Sequence, residues 1–404
     1  MGSRHVRANE VAMRLAVVGA GPVGLTLALH AARAWPEAHV SLFDARSSDV
    51  DVSGDPRTIA LSLGSVQLLQ RLDAWHAEAA QPILEVHVSQ QPPTLGGWLG
   101  EPALRIRAAD EAVPMLGAVL GYGDIVAPLQ RIWFEACERE PHRLVSRFGV
   151  PVAALKPLSH GVEVDVGAGV GVGAREPFDL AVVAEGGVFS DQARKSVTHD
   201  YQQTAWVGTV MLEGARPDVA FERFTRHGPV ALLPLKEGRA ALVWCVNRAD
   251  DGVAGLDDAQ RLAVLNTLLP TEAGRLVAVS PLKHFSLGLN AERTLTQGRI
   301  VRIGNAAQTL HPVAGQGLNL GLRDAFTLVR TLSRAADIDL ALRRLEIQRG
   351  PDRWAVIAAT DFFARSFTWQ LPGAGAIRGL GLATLQACKP VKAALARQMM
   401  YGVR

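Results

Sequence analysis

The stretch from Leu15 to Asp44, which reads LAVVGAGPVGLTLALHAARAWPEAHVSLFD, constrains the fold of this chain more than any other. Its first four residues form a short valine-rich run that is typical of a buried parallel strand. Gly19, Gly21 and Gly24 follow in G-x-G-x-x-G spacing, and a proline stands where the first helical residue is expected. A second strand is predicted to end at Asp44. Strand, glycine turn, helix and strand in this order predict a nucleotide-binding βαβ unit.

Each of these residues has a defined task in such a unit. Gly19 permits the tight turn, Gly21 lets the backbone approach a pyrophosphate, and Gly24 lets helix and strand pack closely. The N-terminus of the helix faces the phosphates, and Asp44 is placed to accept hydrogen bonds from an adenosine ribose. An aspartate here, rather than an arginine, favours a ribose without a 2′-phosphate and therefore FAD or NAD. A glycine-rich turn without any ligand is the alternative.

The composition is that of an ordinary globular protein. The 404 residues exceed the usual size of a single core and predict two domains, interleaved in sequence. Hydrophobic residues make up 48% of the chain, and the net charge of +3 gives no support to a nucleic-acid partner. The cysteines (Cys137, Cys245 and Cys388) are far apart and lack metal-ligand spacing, so we expect free thiols, a reducing compartment and no metal.

The hydropathy pattern indicates the cellular location that we expect for the protein. No uninterrupted apolar run reaches the roughly 18 residues of a transmembrane helix. Residues 1–13 carry charges and no apolar core of a secretory signal. We therefore expect a cytoplasmic protein.

The middle of the chain has a different pattern. Residues 150–183 alternate apolar and polar positions, which predicts hairpins leading to a buried strand at Leu180–Val183. Glu185 and Gly186 follow that strand as a second glycine turn. From Gln203 to Val246 the alternation predicts a sheet of antiparallel hairpins, unlike the βαβ opening. This suggests a second domain inserted into the first.

The segment 304–324 is the second segment that indicates function. In it a predicted strand is followed by a glycine-rich turn and a helix. Backbone N–H groups at this helix N-terminus, near Gly315, Gln316 and Gly317, stabilise developing negative charge. A reduced flavin is an anion at its pyrimidine end, so an isoalloxazine ring fits against Pro312 and the residues up to Gly317. Glycines needed only for packing are the alternative. His311 is a candidate base toward a phenol, and a structural histidine is the alternative.

Several motifs together resemble the single-component flavoprotein aromatic monooxygenases of the p-hydroxybenzoate hydroxylase type, and within them the ubiquinone-biosynthesis hydroxylases, the UbiH/Coq6 group. The motifs are the glycine fingerprint with Asp44, Asp55-Pro-Arg57-Thr-Ile-Ala-Leu-Ser, Tyr201-Gln-Gln-Thr-Ala, the run from Phe221 to Leu235, and Gly304-Asn-Ala-Ala through His311-Pro-Val-Ala-Gly-Gln-Gly-Leu-Asn-Leu-Gly. They extend over most of the chain. The last two are specific to the quinone-pathway group, whereas many FAD proteins share the first.

The resemblance implies an α/β fold with three parts. A Rossmann-like FAD-binding domain would be built from residues 13–80, 105–200 and 285–345. An inserted antiparallel β-sheet substrate domain would comprise residues 81–104 and 201–284, and a helical C-terminal region residues 346–404. The residues implied to bind FAD are Gly19, Gly21, Gly24, Asp44, Arg46, Arg57, Glu185, Gly186, Gly304, Asn305, Pro312, Gly315, Gln316, Gly317 and Asn319. Considered alone, Arg57 is equally well explained as a solvated surface arginine.

The resemblance also implies the chemistry, most of which belongs to the cofactor. NAD(P)H would reduce FAD, O₂ would add to give a C4a-hydroperoxide, and its distal oxygen would pass to an electron-rich phenol ring. The protein would exclude water and orient that ring. The chain has no second nucleotide fingerprint, so NAD(P)H would bind transiently at the surface.

Two positions depart from the family pattern. Glu185 stands where an aspartate is usual, with the serine that normally follows displaced to Ser190, and Asn305 stands where many relatives have an aspartate. Glutamate keeps the charge, and the carbonyl oxygen of asparagine still accepts a hydrogen bond from a ribityl hydroxyl. Neither departure excludes flavin binding.

The leading hypothesis is therefore a hydroxylase of a polyprenylated phenol in ubiquinone biosynthesis. The alternatives are a hydroxylase of a smaller soluble aromatic compound and an FAD-binding scaffold subunit of a quinone-biosynthesis complex. Between Ile377 and Met400, apolar residues are interleaved with lysine and arginine, which fits a peripheral contact with the inner face of a membrane or with such a complex. Packing of this apolar side on the protein body is the alternative. Pro390 predicts two short helices rather than a long one.

Overall fold

The computed structural model describes residues 12–55, 57–91, 103–167, 174–186, 193–312, 315–366 and 374–402. The strands are β1 (Arg14–Val18), β2 (His39–Asp44), β3 (Thr58–Ser62), β4 (Gln81–Ile83), β5 (Glu85–Gln90), β6 (Leu104–Arg107), β7 (Gly117–Gly121), β8 (Leu144–Phe148), β9 (Val152–Leu158), β10 (Gly161–Val166), β11 (Ala174–Phe178), β12 (Leu180–Val183), β13 (Val197–Glu213), β14 (Val219–Thr225), β15 (Gly228–Pro234), β16 (Arg239–Asn247), β17 (Arg275–Val279), β18 (Lys283–Ala291), β19 (Thr296–Gln297), β20 (Ile300–Arg302) and β21 (Gln308–Thr309). The helices are α1 (Pro22–Ala34), α2 (Leu63–Arg71), α3 (Tyr122–Arg139), α4 (Asp258–Leu268), α5 (Gln316–Leu332), α6 (Ile338–Ser366), α7 (Ala374–Ala387) and α8 (Lys389–Tyr401).

A six-stranded sheet carries the predicted βαβ unit. Its order is β19-β20-β12-β1-β2-β8, and all its pairs are parallel except β19 with β20. Leu15–Val18 of β1 are buried, as their valine-rich run predicts, and α1 begins at the predicted proline, Pro22. The parallel strands direct their carboxyl ends to the same edge of the sheet, where ligands bind in open α/β folds.

A nine-stranded, mostly antiparallel sheet forms the second large layer. Its order is β21-β18-β13-β16-β15-β14-β5-β6, and β17 also pairs with β13. The hairpins predicted within 203–246 are β13 to β16. β14 and β5 pair in parallel, which brings a segment from much earlier in the chain into this sheet. The domain limits proposed at 104 and 284 stay a prediction, and the sheet continues across both of them through β6 and β18.

The two faces of the nine-stranded sheet differ in what covers them. One face packs on α4 through a core that includes Trp206, Phe221 and Trp244. The other face is covered in part by the small sheet β3-β7-β4, where Ala220 packs with Ile83 and Val119. A third small sheet, β11-β10-β9, packs beside the six-stranded sheet.

The C-terminal region is helical, as expected, and Pro390 stands in the first turn of α8 after the break at Cys388. A buried ionic network joins α5 to α6: Arg349 Nε donates to Asp324 Oδ1 at 2.6 Å and Nη1 donates to Asp352 Oδ2 at 2.7 Å. Apolar residues of α7 and α8, including Leu382 and Met400, pack on β6 and α2. Within the described ranges, the helices are all too short or too polar to cross a bilayer.

Candidate functional site

The glycine turns after β1, β12 and β20 come together at the carboxyl edge of the six-stranded sheet. Gly19 has a φ of +102°, and a Cβ atom there would lie 2.7 Å from the amide nitrogen of Glu185. A Cβ atom on Gly186 would lie 2.3 Å from the Cβ atom of Asn305. Three turns that are far apart in sequence therefore touch through their backbones, and side chains at these two glycines are sterically excluded.

The N-terminus of α1 remains open toward the same edge. A Cβ atom on Gly24 would lie 1.8 Å from the carbonyl oxygen of Gly19, which confirms that this glycine allows close packing of helix and strand. A Cβ atom on Gly21, by contrast, would meet only the hydroxyl oxygen of Tyr122, at 3.5 Å. Gly21 is the N-cap residue and no side chain caps the helix. Its free N–H groups form a ready site for a phosphate.

Asp44 lies at the end of β2, beside the glycine turn. Its Oδ2 accepts a hydrogen bond from the backbone N–H of Ala20 at 2.6 Å, and its Oδ1 accepts one from the N–H of Arg46 at 2.8 Å. Arg46 Nη2 donates in turn to the carbonyl oxygen of Ala20 at 3.2 Å. Each carboxylate oxygen retains a further lone pair for a ligand. Asp44 thus holds the glycine turn in place in addition to any contact with a ribose.

Arg57 projects toward this site on a neighbouring segment. It forms an ion pair with Asp55 at 2.6 Å, and its guanidinium lies 3.9 Å from the ring centroid of Tyr122. Burial raises the pKa of Tyr122. Sequence reasoning did not single out Tyr122; the available signal was its position between two glycines, directly after a buried strand.

The N-terminus of α5 lies against β3. Gly315 is its N-cap residue, in the left-handed conformation and without a side-chain cap, and a Cβ atom on Gly317 would meet nothing within 4 Å. Asn319 is buried; its Oδ1 accepts from Ser62 N–H at 2.8 Å, and its Nδ2 donates to the carbonyl oxygens of Ala60 and Gly315. These bonds hold the helix N-terminus in position. Pro312 and Gln316 are half-buried beside it.

The Gly304–Asn305 turn packs on α1 and α5. A Cβ atom on Gly304 would lie 3.3 Å from a methyl group of Val23, and Lys195 Nζ donates to the carbonyl oxygen of Asn305 at 2.8 Å. Burial lowers the pKa of Lys195 to about 8. Sequence reasoning did not identify Lys195. Ser190, the displaced serine, lies outside the described residues.

His311 lies inside the protein rather than on the open edge. Only 2% of its surface is exposed, and its Nε2 is 2.9 Å from Gln203 Oε1. Burial lowers the pKa of His311 to about 3, so the ring is neutral at physiological pH. This geometry favours the alternative of a structural histidine, and the catalytic role suggested by its place beside Pro312 gains no support from it.

The residues at this edge fit FAD. The two uncapped helix N-termini, of α1 and α5, suit its pyrophosphate and the negatively charged end of its reduced ring. A Cβ atom on Gly21 would meet only a tyrosine hydroxyl and one on Gly317 nothing within 4 Å, and the Asp44 carboxylate keeps lone pairs available to a ligand. The predicted cofactor residues converge here from five separate segments, whereas His311 does not share their open surface.

Comparison with known proteins agrees with this geometry. Residues 187–339 match the family model of an FAD binding domain. The chain is 30% identical over 404 aligned residues to ubiquinone hydroxylase UbiL of Rhodospirillum rubrum, covering 95% of this chain and 88% of that protein. It is 29% identical over 384 residues to 3-demethoxyubiquinol 3-hydroxylase of Escherichia coli, covering 91% and 93%.

Solved structures show the same fold. p-Nitrophenol 4-monooxygenase PnpA from Pseudomonas putida superposes with a TM-score of 0.72 at 15% identity, covering 98% of this chain and all of that one. HpxO of Klebsiella pneumoniae, solved with FAD and uric acid, gives 0.68 at 17% identity, covering 96% and 97%. The structural likeness establishes the fold, and the sequence identity establishes the family. The chain belongs to the FAD-dependent aromatic hydroxylases of ubiquinone biosynthesis.

Proposed function

We propose that this protein hydroxylates the aromatic ring of a polyprenylated phenol on the route to ubiquinone, with NAD(P)H as electron donor and O₂ as the source of oxygen. The observation that carries the proposal is the pair of helix N-termini at Gly21 and Gly315, neither of which has a side-chain cap. Bound FAD supplies electron transfer from NAD(P)H and the activation of O₂. The chain's own residues bind the cofactor, orient the substrate and exclude water.

Different residues of the site would bind different parts of the cofactor. The open backbone at Gly21 would bind the pyrophosphate, and Asp44 would accept hydrogen bonds from the adenosine ribose. Arg57, stacked on Tyr122, adds a positive charge close to the phosphates. The N-terminus of α5 at Gly315 would stabilise negative charge on the reduced ring. Asn319 positions that helix, because its amide is bonded to β3 and to the N-cap.

An apolar cavity beside the α5 N-terminus supports a prenylated substrate. It encloses about 80 Å³ and joins the small sheet, the edge of the large sheet and α8. Polar side chains reach it from α5 through Gln316 and Asn319, and the rest of its lining is largely apolar, including Ile83, Val86 and Met399. Such a lining suits an apolar part of a substrate better than a charged part, and its volume admits only a small portion of a prenylated ring.

The proposal also includes contact of the C-terminal helices with a membrane surface. A polyprenyl chain partitions into lipid, so the enzyme must meet its substrate at a bilayer or take it from a partner. Leu382 and Met400 are buried against the body, yet Ile377, Leu380 and Val391 on the same two helices are 74%, 66% and 48% exposed. We propose that these exposed side chains insert shallowly into the headgroup region.

This contact is tested by co-sedimentation with anionic liposomes. Substitution of Ile377 and Leu380 by serine removes the exposed apolar side chains while leaving the buried side of α7 intact. The double variant should keep its FAD and remain in the supernatant, whereas the wild type sediments. Equal sedimentation of both proteins would refute this role for α7.

The reaction is tested with purified FAD-loaded protein, oxygen-18 gas, NADPH or NADH, and a short-chain prenylated phenol such as 2-farnesylphenol. The proposal predicts a hydroxylated product that carries one oxygen-18 atom. Preferential hydroxylation of a soluble phenol without a prenyl chain would favour the smaller substrate. Bound FAD without turnover of either phenol would favour the scaffold subunit.

A further inference from the structure

A lone carboxyl group stands on the apolar face of the nine-stranded sheet that the small sheet covers. Glu222 lies in the middle of β14 and pairs with Ala231 on one side and Val88 on the other. Side chains alternate along a strand, so Glu222 shares its face with Ala220 and Phe224, whereas Arg223 points to the opposite face and donates to the carbonyl oxygen of Leu268.

The surroundings of Glu222 offer its charge no compensation. Phe224 stacks on Phe363 of α6 with ring centroids 5.8 Å apart, and Ala220 packs beneath the small sheet. Among the described residues, the Glu222 carboxyl forms neither an ion pair nor a side-chain hydrogen bond. Its side chain is nevertheless half-buried rather than fully buried. On the same face, burial and the charge of Glu222 raise the pKa of the buried Cys245 thiol.

A carboxyl group in this setting destabilises the empty protein. An unpaired polar group in apolar surroundings loses its hydration without replacement. Burial alone raises the pKa of Glu222 to about 8. Perturbed carboxyl groups of this kind concentrate at sites that act on a ligand.

The position of Glu222 relative to the cofactor site follows from a short chain of contacts. A Cβ atom on Gly315, at the N-terminus of α5, would lie 3.5 Å from the Cβ atom of Ala60. Ala60 packs against the cluster that contains Ala220. Glu222 is two residues further along the same face, or about 7 Å. Glu222 therefore lies on the sheet face that the small sheet covers, and the small sheet contacts the helix N-terminus that would stabilise the reduced ring.

We propose that Glu222 binds the phenolic hydroxyl of the aromatic substrate and accepts its proton. This inference rests on the proposed function and names the residue that orients the ring. In the transfer, the phenolic O–H bond breaks, the proton bonds to a carboxylate oxygen of Glu222, and the electron pair stays on the phenolic oxygen. The ring then becomes more electron-rich, as attack on activated oxygen requires. A carboxyl with a pKa of about 8 is closer to a phenol, at about 10, than an exposed glutamate is.

The test uses the FAD-loaded protein with two probes, 2-farnesylphenol and its methyl ether. In the ether a methyl group replaces the hydroxyl hydrogen, so the ether cannot donate a hydrogen bond. Binding is measured from the change that each probe causes in the flavin absorbance spectrum, and turnover is measured with the phenol. The variants are Glu222→Gln, which keeps the shape, and Glu222→Leu, which removes all hydrogen bonding. Glu37→Gln changes an exposed glutamate and serves as the matched control.

At a pH above 8, where Glu222 is mostly ionised, the wild type and Glu37→Gln should bind the phenol at least tenfold more tightly than the ether, because a hydrogen bond to a carboxylate contributes about 1.5–3 kcal/mol. Glu222→Leu should bind both probes equally, and Glu222→Gln should lose about 10²–10⁴-fold in kcat. Unchanged discrimination in Glu222→Leu, or wild-type kcat in Glu222→Gln, would overturn this role. Failure of the proposed function has a different signature: the wild type itself would form no product, whatever the Glu222 variants bind.

Discussion

Replacing Glu222 with glutamine should stabilise the protein, and the gain should grow with pH. The pKa of this carboxyl rises from 4.5 to about 8 in the folded state, because burial disfavours the charged form. A group whose pKa is raised on folding contributes its full stability below pH 4.5 and loses it as the pH approaches 8. The amide of glutamine does not titrate, so the variant escapes this loss.

The magnitude follows from linkage at about 1.36 kcal/mol per pKa unit. With these pKa values, the wild type loses about 1.4 kcal/mol by pH 5.5 and about 4 kcal/mol by pH 7.5. A chain of 404 residues has an unfolding entropy near 0.85 kcal/mol/K, so a difference of about 2.5 kcal/mol corresponds to roughly 3 °C. The desolvation cost of the amide itself is the same at both pH values and cancels from this difference.

The assay is differential scanning calorimetry of FAD-saturated wild type, Glu222→Gln and Glu37→Gln at pH 5.5 and 7.5. The Tm advantage of Glu222→Gln over the wild type should be about 3 °C larger at pH 7.5 than at pH 5.5. The exposed control should show no such difference. An advantage that is equal at both pH values, or a variant less stable than the wild type at pH 7.5, would refute the placement of this carboxyl in apolar surroundings.

Three further substitutions test the cofactor site and its support. Gly21→Val should fold normally but stay colourless, because a Cβ atom there meets only a tyrosine hydroxyl in the protein and the added side chain would occupy the proposed pyrophosphate position; a yellow protein would contradict this. Asp44→Ala should raise the Kd for FAD roughly tenfold or more, since it loses a ribose acceptor and two backbone hydrogen bonds; an unchanged Kd in fluorescence titration would disprove the assignment. Arg349→Met should lower the Tm by about 4–6 °C, because it leaves the fully buried Asp324 without its cation and Asp352 with the longer Arg323 contact, at a cost of about 3–5 kcal/mol; a Tm within about 1 °C of the wild type would show that the network is dispensable.

Patterns within short stretches of the sequence predict several elements of the fold correctly. The buried run after Leu15, the glycine spacing and the proline at the start of α1 are short-range signals, and the structure confirms the βαβ unit that they predict. The hairpins of β13 to β16 follow from alternation in the same way. The break at Pro390 follows from the chemistry of proline. Each of these features depends on residues close together in sequence.

The remaining features depend on pairings across long stretches of sequence. Nothing within β5 indicates that it pairs in parallel with β14. The paired residues Glu85 and Val219 are 134 positions apart in the sequence. The isolation of Glu222 follows from that pairing, because Val88 is its neighbour. Likewise, His311 resembled a catalytic base from its place beside Pro312, and only the contact with Gln203 shows that its ring is held in the interior.

The most direct test of the account is genetic. The gene is deleted in the source organism, and mass spectrometry identifies the quinone precursor that accumulates. We expect a polyprenylated ring that lacks one hydroxyl group to accumulate, with ubiquinone restored by the wild-type gene and not by Gly21→Val. Normal ubiquinone with no accumulated precursor, or restoration by the variant that does not bind FAD, would contradict it.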